Sequence, residues 1–92
     1  MVVHIKRLVI DSMKARETTV LDLSRALAMV DGVDEVDITV TEVDSKTETI
    51  RLTIRGSHLD FEAIGKVMAD HGATMRSIDE ITVTKTKPPV TK

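Results

Sequence analysis

The sequence predicts an α+β fold whose elements follow one another in the order β-α-β-β-α-β. Three observations support this prediction: segments that alternate polar with apolar residues, two apolar stripes at helical spacing, and a glycine after each helical stripe. A chain of 92 residues has enough apolar side chains for one hydrophobic core. We therefore expect a single domain over residues 1–86.

The first half of the chain is predicted to hold a strand, a helix and a second strand. Residues 2–12 are rich in β-branched side chains and apolar on both sides near the middle, which favours a central strand. A helix follows, capped by a threonine at position 18 or 19, and Gly32 ends it. Its apolar stripe consists of Val20, Leu23, Leu27 and Val30. Residues 33–43 then alternate as a strand with one solvated face.

The second half of the chain is predicted to complete a hairpin and to add a helix and a last strand. Residues 50–55 alternate after a short polar turn, which indicates a strand paired with the preceding one. Asp60 is expected to cap the second helix, and Gly72 to end it. Residues 74–86 are predicted as the fourth strand, and residues 87–92, which contain two prolines, as a disordered tail.

Right-handed crossovers fold this order into a ferredoxin-like sandwich. It has an antiparallel sheet of strand order 4-1-3-2 with both helices on one face.

The composition excludes several classes of function. The chain has no cysteine and a single aromatic residue, Phe61, so thiol chemistry and base stacking are not expected. A formal charge of −2 does not favour nucleic acid as a partner, and no apolar run is long enough for a membrane span. No serine lies in a glycine-flanked elbow, and no phosphate-binding glycine loop occurs. We expect a cytoplasmic protein that is not an enzyme.

Acidic residues gather where the first two predicted strands end and the third begins. They are Asp11, Glu42, Asp44 and Glu48. Carboxylate oxygens are the preferred ligands of Ca²⁺ and Mg²⁺, so a divalent cation site is predicted at this end of the sheet. Strand alternation predicts Asp11 on the open face and the other three acids on the helix face. The alternative is a solvated turn, in which Glu48 pairs with Lys46 or Lys14.

The open face of the predicted sheet gathers arginines among threonines and acids. The candidate residues for a ligand or partner there are Arg7, Asp37, Arg51 and Arg55. Arginines can bind a carboxylate or a phosphate in a bidentate manner, but such a face can also be solvated or form a contact between subunits. Val9 is apolar among these charges, and the edge strands lack proline. We therefore expect a homo-oligomer.

Two other residue types fit structural roles. The three histidines match no zinc motif, and His71 is expected to contact the last carbonyls of its helix. Four methionines are expected to fill the core: Met13, Met29, Met68 and Met75.

Several short motifs resemble a family of small archaeal proteins of unknown function. They are Arg7-Leu8-Val9-Ile10-Asp11, Gly32-Val33, Glu42-Val43-Asp44-x-x-Thr47-Glu48-Thr49-Ile50, Leu59-Asp60-Phe61 and Ser77-Ile78-Asp79-Glu80. The resemblance implies a cytoplasmic ferredoxin-like protein that forms ring-like homo-oligomers and has no established activity. Calcium ions are associated with the family, which supports the cation hypothesis. This chain retains the family's acids at Asp11, Glu17, Glu42, Asp44, Glu48 and Asp79.

The chain departs from the family pattern after the first strand. Where members usually have Lys-Pro-His-Glu-Pro, this chain has Lys14-Ala15-Arg16-Glu17-Thr18, so a role for that histidine does not carry over. A regulatory small-molecule sensor is the alternative function, and only the similarity of the predicted fold supports it. Regulatory domains that sense amino acids share the β-α-β-β-α-β order and bind small molecules at subunit interfaces.

Overall fold

A computed structural model describes residues 2–86 and shows the predicted α+β fold. The elements are β1 (Val2–Ala15), α1 (Val20–Ala28), β2 (Val33–Val43), β3 (Thr47–Gly56), α2 (Phe61–Asp70) and β4 (Ala73–Thr86). The strands form one antiparallel sheet in the order β2-β3-β1-β4, which confirms the predicted ferredoxin-like topology. The predicted disordered tail at residues 87–92 lies outside the described residues.

Both helices begin at the predicted caps. The Thr19 side chain accepts a hydrogen bond from the Asp22 N–H at 3.1 Å, and the Asp60 carboxylate accepts one from the Ala63 N–H at 3.1 Å. Each bond satisfies a backbone donor that the first helical turn leaves without a partner. In the described part of the chain, neither helix is long and apolar enough to cross a membrane.

The hydrophobic core lies between the helices and one face of the sheet. It consists of Leu8, Ile10, Leu23, Leu27, Ile50, Leu52, Ile54, Leu59, Ile64, Met68 and Ala73. Met75 packs against this cluster, but Met13 and Met29 are exposed, so the expectation that all four methionines fill the core is wrong. Met29 is exposed because it occupies the C-cap of α1, beyond the last buried residue of that helix.

β1 is three residues longer than predicted and lies inside the sheet, between β3 and β4. Its pairing with β3 continues to Ala15, whose N–H also donates to the Gly72 carbonyl at 3.0 Å. Bulges interrupt the regular alternation. In β2, Val40 pairs with Ile50 and Glu42 pairs with Thr49, so Thr41 is an extra residue. A bulge of one residue moves the following side chains to the other face of the sheet.

Candidate functional site

The four acids of the predicted cation site do not converge. Glu48 pairs with Lys14 on the helix face, as its strand parity predicts. Glu42, in contrast, lies on the open face, because the bulge at Thr41 reverses the alternation that placed it with Glu48. The expectation that Glu42 and Glu48 share one face is therefore wrong. Asp11 is on the open face as expected, 3.7 Å from Arg76 Nε.

A small hollow at this end of the sheet brings two of the acids together. Glu42 and Asp44 line a space of about 130 Å³. The other lining residues are Met13, Val43, Thr47, Thr49 and Arg76. The Asp44 N–H donates to the Thr47 carbonyl at 2.8 Å, which closes the hairpin around the hollow. Within residues 2–86, no group of three or more His, Cys, Asp or Glu side chains is arranged to hold a metal ion.

On the helix face, Lys14 and Glu48 form a buried ion pair. Lys14 Nζ lies 2.6 Å from Glu48 Oε1, and the two side chains are 1% and 20% exposed. The ammonium also donates to the Ala15 carbonyl at 2.9 Å and to the Thr18 carbonyl. An ammonium has three donors, and each has an acceptor here. Of the two partners that the sequence left open for Glu48, the structure selects Lys14, and the pair ties the loop before α1 to the sheet.

The predicted ligand-binding arginines on the open face pair with carboxylates of the chain itself. Glu80 accepts from Arg7 at 3.0 Å and lies 3.6 Å from Arg51. Arg55 donates to Asp37 at 2.8 Å and to Glu35 at 2.7 Å. The hydrogen bond to Asp37, followed by that to Glu35, raises the pKa of Arg55 above its usual value.

This network surrounds an apolar residue. Val9 lies on the open face directly opposite Glu80, yet it is only 1% exposed. In the register, Arg7 lies two residues before Val9 on β1, and Arg51 and Arg55 flank its partner Thr53 on β3. The aliphatic stems of arginines can cover apolar surface while their charged groups stay in water, which accounts for the low exposure of Val9. The open face therefore has a small apolar centre, and its arginines have intramolecular partners that a ligand would have to displace.

The edge strand β4 has a row of exposed apolar side chains on the helix face of the sheet. Ile78, Ile81 and Val83 are 42%, 51% and 48% exposed. They lie opposite Ile10, Leu8 and Ile5 of β1, which fixes their face. On the other edge strand, β2, Val40 and Val43 are also exposed on the helix face. Each edge strand pairs with only one neighbour in the sheet.

Sequence reasoning missed a histidine pair at the opposite end of the sheet from the acids. The Nδ1 atoms of His4 and His58 are 2.5 Å apart, although the residues are 54 positions apart in sequence. Sequence spacing alone could not find this pair. The third histidine behaves as predicted, since His71 Nδ1 lies 2.9 Å from the Val67 carbonyl in the last turn of α2.

Together, the topology and these surfaces define a ferredoxin-like α+β protein with two unpaired sheet edges. The chain belongs to the DUF211 family, described as uncharacterised ArCR proteins, whose model matches residues 6–87. It is 38% identical over 81 residues to an uncharacterised protein of Methanocaldococcus jannaschii, a match that covers 88% of this chain and 84% of the relative. The resemblance to a small archaeal family of unknown function is thereby confirmed.

Proposed function

We propose that this chain is a non-enzymatic binding protein that assembles head to tail, with the β4 edge of one copy beside the β2 edge of the next. The single observation that carries this proposal is the pair of unpaired edges, each with exposed apolar residues on the same face of the sheet. Pairing of the edges would continue the sheet from one copy into the next. It would also bury Ile78, Ile81 and Val83 of β4 against Val40 and Val43 of β2.

The charges of the two edges favour contact between unlike edges. β2 carries four acids and no basic residue: Asp34, Glu35, Asp37 and Glu42. β4 carries two basic residues, Arg76 and Lys85, beside two acids, Asp79 and Glu80. Two β2 edges side by side would bring like charges together, which is destabilising across strands. A β2–β4 contact instead sets the acidic β2 edge against a strand whose two basic and two acidic residues balance, so it avoids that repulsion.

A head-to-tail contact uses a different surface on each of the two copies. Such a contact repeats, and it produces a ring when the rotation between copies closes. A ring leaves no free sheet edge, which removes the aggregation hazard of two long edge strands without proline. This supports the ring-like homo-oligomer that the family resemblance implies.

Light scattering coupled to size exclusion tests the assembly. The wild-type chain is expected to have a mass of three or more copies of the 10.1 kDa chain. Ile81→Lys on β4 and Val40→Lys on β2 are each expected to yield single chains, because a lysine at an apolar contact is costly to desolvate. Met29→Lys adds the same charge at an exposed apolar residue outside both edges and should leave the mass unchanged. A wild-type mass of 10.1 kDa would overturn the proposal.

A divalent cation in the hollow beside Glu42 and Asp44 is the second candidate function. The supporting observation is that the Thr41 bulge brings Glu42 to the same side as Thr47 and Thr49, whose hydroxyls are further oxygen donors. Water or a neighbouring copy would have to supply the remaining oxygens, because Ca²⁺ takes six to eight ligands.

Thermal unfolding with added ions tests this candidate. Ca²⁺ or Mg²⁺ should raise the melting temperature of the wild type, and a chelator should reverse the rise. Glu42→Gln should lose the effect, whereas Asp34→Asn, at an exposed acid outside the hollow, should keep it. No shift at millimolar ion would contradict cation binding. A rise with an amino acid in place of either ion would favour the small-molecule sensor.

A further inference from the structure

Two histidines meet at the end of the sheet that lies opposite the acids. His4 is on β1 and His58 is in the loop between β3 and α2. Their ring centroids are 4.6 Å apart, with the ring planes at 62°, and their Nδ1 atoms face each other at 2.5 Å. Two ring nitrogens at this distance cannot both present lone pairs or both present protons, so they share one proton in an N–H···N hydrogen bond, or they turn slightly apart to face a common cation.

Backbone contacts fix the loop that carries His58. The Leu59 N–H donates to the Ile5 carbonyl at 2.9 Å, so this loop continues along β1 where the pairing with β3 has ended at Arg7. Gly32, at φ +92°, lies directly against the His58 carbonyl, and an added Cβ would overlap that oxygen. Close backbone packing therefore fixes the backbone of His58 beside β1 before any ligand binds, and leaves its ring near that of His4.

The surroundings of the pair are acidic. The rings line an open groove of about 480 Å³ that is also lined by Asp31, Asp60 and Glu62. The remaining residues that line it are Val3, Ile5, Leu59 and Phe61, so among the described residues no lysine or arginine contributes to the groove. Negative charge around two imidazoles favours a cation over an anion.

We propose that His4 and His58 bind one divalent transition-metal ion of the zinc, nickel and copper class through their Nδ1 atoms. Imidazole nitrogen is a preferred ligand of these ions, whereas Ca²⁺ and Mg²⁺ prefer oxygen. Metal–nitrogen bonds of about 2.0–2.1 Å separate two ligand nitrogens by roughly 3 Å. The rings need only a small rotation to reach that separation, and His58 is exposed and free to make it. Two imidazoles come from the chain, and water completes the coordination.

This site is independent of the acidic hollow and of the family assignment. The family model begins to match at residue 6, so His4 lies outside the matched segment. The two sites also differ in ligand chemistry, because the hollow offers oxygens and the histidine pair offers nitrogens. Ca²⁺ and Mg²⁺ therefore should not compete for the histidine pair, even where they bind elsewhere on the chain.

Calorimetric titration of the tag-free chain with Cu²⁺ and with Zn²⁺ tests the proposal. We expect one ion per chain, with Cu²⁺ bound more tightly than Zn²⁺. His4→Gln and His58→Gln should each weaken binding at least tenfold. His71→Gln is the matched control and should bind like the wild type, because His71 is the C-cap of α2 and its ring contacts the Val67 carbonyl instead of the other two histidines. Thermal melts without metal confirm that each variant folds.

Electron paramagnetic resonance of the Cu²⁺ complex gives a second readout. Splitting from two nitrogens is expected in the wild type and from at most one in either variant. The proposal is overturned if no ion binds at millimolar concentration, which would leave a shared proton, or if binding survives both substitutions.

Discussion

Each face of the sheet has a cluster of ion pairs, and the two clusters differ chiefly in burial. On the helix face, Lys14 is 1% exposed and bonds to Glu48 and two backbone carbonyls. On the open face, Glu80 is about half exposed and pairs with Arg7 and Arg51, which are themselves partly in water. Coulomb attraction acts in both clusters, but water screens it strongly on the open face and much less on the helix face. Burial therefore decides how much each charge contributes to the free energy of unfolding.

The largest effect is expected for Glu48→Ala. The substitution leaves the Lys14 ammonium buried without its carboxylate, and breaking a buried pair in this way typically costs about 3 kcal/mol or more. Urea denaturation, monitored by circular dichroism, measures the loss. Glu48→Gln should lose less, since its amide oxygen can still accept a hydrogen bond. A loss below about 1 kcal/mol for Glu48→Ala would show that the pair behaves like a surface one.

Val9→Ala is expected to have the next largest effect, although Val9 lies on the open face. Because Val9 is 1% exposed, truncation removes buried methyl groups, and a cost of about 2 kcal/mol is expected. Thr39→Ala is the control, at an exposed position on the same face. If both variants unfold at the same urea concentration as the wild type, the charged network does not shield an apolar centre.

Among exposed interactions, a hydrogen bond that satisfies a backbone N–H should contribute more to the free energy of unfolding than an ion pair does. Thr19→Ala and Asp60→Ala each remove a helix cap, and each should lower the free energy of unfolding by about 1 kcal/mol. Thr19→Ser should restore most of the loss, because its hydroxyl can accept the Asp22 N–H. Equal stability of Thr19→Ala and Thr19→Ser would argue against the capping role.

The smallest effect is expected for Glu80→Ala on the open face. Both ion pairs of Glu80 are partly solvated, so the loss should stay below about 1 kcal/mol. High salt should weaken these exposed pairs further and bring the variant closer to the wild type. A loss equal to that of Glu48→Ala would remove the distinction between the two faces.

The fold follows from the sequence because each local signal agrees with the topology. Alternation in β2 and β3, caps at Thr19 and Asp60, and glycines after both helices all favour the same arrangement. The order of strands then follows from the handedness of crossovers, and the structure confirms it.

The sequence predicts the details of the sites less well than it predicts the fold, for two physical reasons. Strict alternation places Glu42 on the helix face, but the bulge at Thr41 moves it to the open face, and no residue in that segment signals a bulge. The His4–His58 pair joins residues 54 positions apart, which only the folded chain brings together. Gly32 and Gly56 permit a close approach of two backbones beside His58, but this approach does not involve His4.

Mixing the two edge variants tests the head-to-tail assembly most directly. Ile81→Lys keeps an intact β2 edge, and Val40→Lys keeps an intact β4 edge, so each variant alone should be a single chain. A one-to-one mixture should form a dimer of one copy of each, at twice the 10.1 kDa of one chain, and should stop there. Native mass spectrometry of variants with distinct isotope labels resolves the pairing. A Val40→Lys variant that dimerises by itself, or a mixture that stays monomeric, would contradict pairing between β4 and β2.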